Sequence, residues 1–351
     1  MELTAKAEEL LDGGNPSAAL KLLSAAKSKT ARAAYLKAEA LRMLGDFNAA
    51  CGYYRAALRS PESAGEKARF LLGLAKCLRT LGDAQAALDF CKKAQAAARI
   101  AGAGGLLTES RLETALALRA KGDLKPALAF LNSLRARFSS CGDYAAMGYV
   151  NWARGGIYRL TGRFEDSIAE FEKSAALAKK SGDEISRGYA LFGLAGVCRV
   201  AGNVAASEKY YRQAEKIFRG TDDIFGRAYA NCGLANALRQ KGDLDSALRH
   251  YKTADKLYSG IHDRPDLGFV KWGIANILLK RGDIAGALRL FKAARGLFAG
   301  SDEMRGEVLS RLSIAYANYL LGKKAFAVKE YDAAVSLAKH HGLCTYLELF
   351  T

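Results

Sequence analysis

Six arginines recur along the chain at a nearly constant interval. Arg79, Arg119, Arg159, Arg199 and Arg239 stand 40 residues apart, and Arg42 precedes them by 37. A guanidinium offers a planar fork of N–H donors that fits a carboxylate or phosphate through two parallel hydrogen bonds, which an ammonium cannot imitate. A file of such forks suits an acidic, extended ligand. A cation in the last turn of a helix also interacts well with the free carbonyls there. Lysine would meet that requirement equally, yet the column contains none; it continues only as Leu279 and Tyr319.

Other columns keep the same interval. Ten residues before each of the later arginines stand Tyr149, Tyr189, Tyr229 and, where Leu279 replaces arginine, Phe269. Three residues further on come Trp152, Phe192, Cys232 and Trp272, and four beyond those Gly156, Gly196, Asn236 and Asn276. The aromatic columns fit packing as well as apolar shelves for a ligand. Glycine in mid-helix costs about 1 kcal/mol relative to alanine, so two in register suggest room kept for something that approaches the backbone.

The elements that must position these residues are written in the turns. Glycines fall at 82, 122, 162, 202, 242, 282 and 322, each 40 residues after the last, with Gly45 and Gly14 ahead of them at shorter intervals. Glycine accepts the left-handed conformation that ends a helix, and the Asp or Asn that usually follows is a good N-cap for the next. On both sides of each turn apolar residues recur at three- and four-residue steps, as in "YANCGLANAL" and "LDSALRHYKTADKLY", which predicts two amphipathic helices per period. After the turn a small, a large and another small residue occupy fixed places, as Ala247, Tyr251 and Ala254 do.

Turn, period and small–aromatic–small columns together resemble the tetratricopeptide repeat, over nearly the whole chain. The period is 40 residues instead of the usual 34, and is similar to the longer units of the Leu-Gly-Asn-repeat adaptors, the maltose transcription activator and the Rap-type peptide-sensing regulators. The resemblance implies an all-α, right-handed superhelical solenoid of antiparallel helix pairs, whose first helices line a concave wall. It places Arg79, Arg119, Arg159, Arg199, Arg239, Asn236, Asn276, Tyr149, Tyr189, Tyr229, Trp152 and Trp272 on that wall, the asparagines as holders of a peptide backbone. The expected organisation is shorter helix pairs over residues 1–60, a regular array over 61–341, and a capping helix or truncated unit over 342–351.

Composition narrows the function. The chain has 351 residues, half of them apolar, and 53 Lys plus Arg against 36 Asp plus Glu, a net charge of +17. Such a surplus favours acidic partners. No zincin, nucleophile-elbow or phosphate-loop motif occurs, and the four histidines form no catalytic pattern. The seven cysteines are scattered without a Cys-x-x-Cys pair, as reduced thiols of a cytoplasmic protein would be. There is no basic-then-apolar start and no membrane-length apolar stretch. The expectation is a non-enzymatic adaptor without a cofactor that holds an acidic peptide segment of a partner protein, with self-association through the end repeats left open. The alternative is a single-stranded nucleic-acid-binding superhelix. Packed helices lie about 8–10 Å apart and an extended peptide advances about 3.3 Å per residue, so the arginines would meet an acidic side chain at roughly every third position.

Overall fold

The computed structural model describes residues 2–26, 30–299 and 303–344, and every regular element among them is an α-helix. The helices are α1 (Glu2–Asp12), α2 (Pro16–Ala25), α3 (Ala31–Met43), α4 (Phe47–Ala57), α5 (Ala64–Thr80), α6 (Ala84–Ile100), α7 (Gly104–Lys121), α8 (Leu124–Cys141) and α9 (Tyr144–Leu160). They continue as α10 (Phe164–Ser181), α11 (Glu184–Val200), α12 (Val204–Arg219), α13 (Ile224–Lys241), α14 (Leu244–Gly260), α15 (Arg264–Lys280), α16 (Ile284–Phe298), α17 (Met304–Leu320) and α18 (Lys324–His340). Helices α1 to α4 have 10 to 13 residues. From α5 onward all have 15 to 18. Of the segment expected to cap the array, residues 345–351 lie outside the described residues.

The turn between α13 and α14 shows why the hairpins form. Gly242 adopts φ 96°, and the Asp243 amide donates back to the Leu238 carbonyl at 3.0 Å, which closes the helix end. The Asp243 side chain then accepts from the Ser246 amide at 3.1 Å, capping the next helix.

Large residues on the second helices fill gaps that glycines leave on the first helices. Tyr211 of α12 lies against Gly233 of α13, and Tyr251 of α14 against Gly273 of α15, so closely that a Cβ at either glycine would overlap the ring. Tyr251 and its flanking small residues Ala247 and Ala254 are fully buried. Close approach through small residues, with an aromatic filling the space between, gives the interior its density.

The array is a helical-repeat solenoid, and its winding also brings distant units together. Phe47 meets Phe225 at a ring distance of 5.7 Å, and Asn48 Nδ2 donates to the His262 carbonyl at 3.0 Å. Near the other end, the Cys344 amide donates to the Leu160 carbonyl at 2.8 Å. Leu112, Leu116 and Val150 share a core with Val308, Leu312, Ala338 and Leu343. Stacking is therefore not purely neighbour to neighbour, and the coil encloses a space at its centre.

A central groove as candidate binding site

That space is a cavity of about 790 Å³. Its wall comes chiefly from the first helices α5, α7, α9, α11, α13 and α15, with Phe171 and Tyr211 reaching in from the second helices. Because the arginines sit one position inside the C-terminal turn, at the same place in each hairpin, the stacking carries them around one wall.

Of the expected site residues, Arg79, Arg119, Arg159, Arg199, Tyr149, Tyr189, Tyr229, Trp152, Trp272 and Asn236 line the cavity, as does Arg42. Arg239 and Asn276 do not: they are 2 % and 7 % exposed and serve the scaffold. Arg239 Nε donates to Tyr251 Oη at 3.3 Å, and its guanidinium stands 5.3 Å from the Trp272 ring. Asn276 Nδ2 donates to its own helix at the Trp272 carbonyl, 2.8 Å away. The packing of α14 against α15 draws this part of the column beneath the surface.

The arginines that do reach the cavity differ among themselves. Arg42 is paired with Glu39 at 2.6 Å. Arg79 forms an ion pair with Glu113 of α7, a carboxylate only 2 % exposed. Arg119 has no ion pair among the described residues; its guanidinium lies 4.9 Å from the centre of the Trp152 ring. Burial, and the charges of Arg79 and Arg159 on either side, push its pKa down to about 10. A cation whose charge is penalised in this way gains from an anion brought into the groove.

The mid-helix glycines have a different occupant from the one expected. A Cβ at Gly156 would stand 2.5 Å from Arg119 Nη1, and one at Gly196 would stand 3.9 Å from Arg159 Cδ. Gly156 thus makes room for the arginine of the preceding hairpin, which lies across the next helix, whereas at Gly196 a methyl group would meet only ordinary contacts, with Tyr211 Oη at 3.8 Å as near as Arg159. At this position the two columns form one device, in which Gly156 lets the Arg119 guanidinium lie along the wall.

Among the aromatics, Tyr149 is the exposed one, stacked on Trp152 with ring centres 5.5 Å apart. Trp152 Nε1 donates to the Tyr189 carbonyl at 3.2 Å, and Tyr189 Oη donates to Asp223 Oδ2 at 2.8 Å. Tyr229 leans on Phe192 at 4.9 Å. Trp272 is 4 % exposed and its Nε1 donates to Ser313 Oγ, so it is mainly core. Asn236 Nδ2 donates to the Cys232 carbonyl at 3.0 Å, while its Oδ1 accepts from Tyr251 Oη at 2.7 Å. Nδ2 also donates to Cys232 Sγ at 3.8 Å, which fixes the amide and leaves one lone pair on Oδ1 to spare.

Sequence reasoning missed another part of the cavity wall, formed by Asp266 of α15, Glu303 ahead of α17 and Arg305 of α17, where Arg119 and Arg159 also act on Glu303. Asp263, fully buried behind them, caps α15 through Oδ1, which accepts from the Asp266 amide at 3.1 Å. Burial and the neighbouring carboxylates hold Asp266 well above the ordinary carboxylate range, against the pull of Arg305. Burial raises Glu303 too, and carries Asp263 to about 7. The signal lay in "DRPD" (263–266), whose spacing reads as a capping box, although only Asp263 serves as the cap.

Tetratricopeptide-repeat family models match residues 4–65 and 44–101 and, separately, residues 145–220. These stretches are tetratricopeptide repeats. Among solved structures, this repeat protein is similar to a Rap protein complexed with competence and sporulation factor, at 12 % identity over 97 % of each chain and a TM-score of 0.72. It is similar to aspartyl phosphate phosphatase F from Bacillus subtilis at 13 % identity, over 78 % of this chain and 71 % of that one, with a TM-score of 0.58. It is also similar to NprR in complex with its cognate peptide NprX, at 16 % identity over 78 % and 79 % of the two chains, with a TM-score of 0.57. At these identities the likeness establishes the fold. No curated protein sequence matches the chain. Among the described residues no helix is long and apolar enough to cross a membrane.

Proposed function

We propose that this repeat protein is a non-enzymatic adaptor that holds an extended, acidic segment of a partner protein in its central groove. The observation that carries the reading is the succession of Arg119, Arg159 and Arg199 along one wall of the cavity, beside the Tyr149–Trp152 shelf. Arg42 and Arg79, already neutralised by Glu39 and Glu113, shape the entrance and contribute little charge. Asn236 gives its remaining Oδ1 lone pair to a peptide N–H. That NprR and a Rap protein of the same fold were solved with a cognate peptide and with competence and sporulation factor supports a groove of this kind as a peptide receptor. The regular array over 61–341 bears the ligand and the shorter pairs over 1–60 serve as its entry. The seven cysteines are all free thiols, in keeping with a cytoplasmic protein.

Nucleic acid is disfavoured because base stacking requires exposed rings, and of these aromatics only Tyr149 is strongly exposed. Fluorescence anisotropy with a labelled Asp- and Leu-containing decapeptide tests the reading, with labelled single-stranded RNA alongside. The parent protein should bind the peptide more tightly than the RNA and lose affinity as salt is raised. Changing Arg119, Arg159 and Arg199 together to glutamate should weaken peptide binding by about a hundredfold or more, roughly 3 kcal/mol, with helicity retained. Unchanged affinity in that variant removes the arginines from the account, and preferential RNA binding replaces the peptide with a nucleic acid.

A further inference from the structure

The last hairpin differs from those before it in what it leaves uncovered. Nine residues after each turn glycine stands an apolar residue, and in every hairpin before the last it is buried, from Leu23 and Tyr54 to Tyr251 and Phe291. The rings of Tyr54, Phe171, Tyr211 and Tyr251 lie over Gly73, Gly193, Gly233 and Gly273, each on the first helix of the following hairpin. Glycine is not required there: Phe291 is fully buried although the same place on α17 is Ser313. Tyr331 is the counterpart on α18, and it is 53 % exposed, because among the described residues no helix follows α18. Together with Val328 of the same stripe, and with Tyr316, Tyr319 and Leu320 on α17, it makes an exposed apolar face. The end hairpin of a solenoid ordinarily carries a polar outer face, and exposed apolar surface of this extent marks an interaction site.

At the other end of the array, α1 is a first helix with no hairpin before it among the described residues. Nine residues ahead of its turn glycine, at the place that elsewhere receives the apolar residue, stands Ala5, small and exposed. We propose that the α17–α18 face receives α1 of a second copy of this chain, so that copies join head to tail. The register of the array sets the fit. Tyr251 faces Gly273 on an antiparallel neighbour, and the same alignment puts Tyr331 over Ala5 and Lys324 opposite Asp12. Charge agrees with it: α1 exposes Glu9 and Asp12 against Lys6, whereas α18 exposes Lys324, Lys329 and Lys339 against Asp332. Two copies of the basic face would repel each other, which disfavours a symmetric pair. A head-to-tail contact is heterologous and continues from copy to copy. One helix laid on one hairpin is a small interface, below about 1,200 Å² in total, so the association is weak. None of these residues lines the cavity, so self-association and peptide binding are separate properties.

Sedimentation velocity of the parent at low salt, from about 5 to 300 µM, should show a mass that rises beyond a dimer. The rise should shrink at high salt. Tyr331→Lys and Ala5→Arg change exposed residues, so each should keep the parent melting temperature while sedimenting as a monomer. Mixed in equal amounts, the two should form a dimer and nothing larger, since the intact α1 of Tyr331→Lys can seat on the intact α17–α18 face of Ala5→Arg. A parent that stays monomeric throughout overturns the proposal and leaves the face to a different partner. If Ala5→Arg associates as the parent does while Tyr331→Lys is monomeric, the face pairs with itself and the head-to-tail contact falls. A mixture that yields no dimer overturns it as well.

Discussion

Arg79 and Arg119 occupy the same place in successive hairpins, at the inner end of the first helix, and they lead opposite lives. Arg79 is tied to Glu113, a nearly buried carboxylate, which with burial sets the balance that keeps it charged. Arg119, one hairpin on, meets Trp152 and the backbone at Gly156 but no carboxylate among the described residues. Its charge is penalised by burial and by the arginines before and after it. The difference teaches that a repeated residue is not a repeated role. One arginine holds α5 to α7; the other is available for an anion that arrives from outside.

The largest expected effect separates these two directly. Arg79→Ala leaves Glu113 buried and unpaired, and should destabilise the protein by about 3–5 kcal/mol. Arg119→Ala should change stability by no more than about 1 kcal/mol and could raise it, since it removes a repelled charge. Denaturant titrations of the two variants check this, and equal losses would erase the distinction. Next in size, Gly233→Ala places a methyl group in the space of the Tyr211 ring and should cost about 1–3 kcal/mol. Gly202→Ala, with open space around it but φ 85°, tests strain alone and should cost about 1 kcal/mol. The smallest effect concerns pH. With the folded pKa of Asp263 raised to about 7, the folded state keeps protons that the unfolded chain has already released. Stability from this group is thus present at low pH and is lost as pH rises through about 7. The groups that face it are Asp266 of α15, Tyr258 of α14 and Glu303 ahead of α17; burial raises Tyr258, which stays neutral across that range, and raises Asp266 and Glu303 as well. In Asp263→Asn the fall in melting temperature between pH 5 and 8 should be shallower by about a degree or two; an unchanged slope would assign the titration elsewhere.

The fold was legible because it repeats. Each Gly-Asp turn and each small–aromatic–small column appears often enough that coincidence is excluded, and the same local geometry follows every time. The columns also placed most of the cavity wall, from Tyr149 to Arg199. What they did not convey depends on contacts between columns. Arg239 and Arg199 are identical in register and both nearly buried, but Trp272 covers the former where the smaller Cys232 stands one unit earlier, and only Arg199 borders the cavity. The partner of Arg79 is Glu113, one helix pair away at a position not repeated further along. Asp266 and Glu303 escaped notice because acids at helix N-termini are explained by capping, and only the winding of the coil shows that they face the same space as the arginines. The closing contacts, Phe47 with Phe225 and Leu160 with Cys344, likewise join units that no local pattern connects.

The most direct test of the central claim compares affinity for one acidic peptide across the parent, Arg79→Ala and Arg119→Ala, each measured on folded protein at low salt. Weakening by tenfold or more in Arg119→Ala, with near-parent affinity in Arg79→Ala, is the predicted result. Equal weakening in both, or loss only in Arg79→Ala, would contradict the division between an arginine that holds the scaffold and one that receives the ligand.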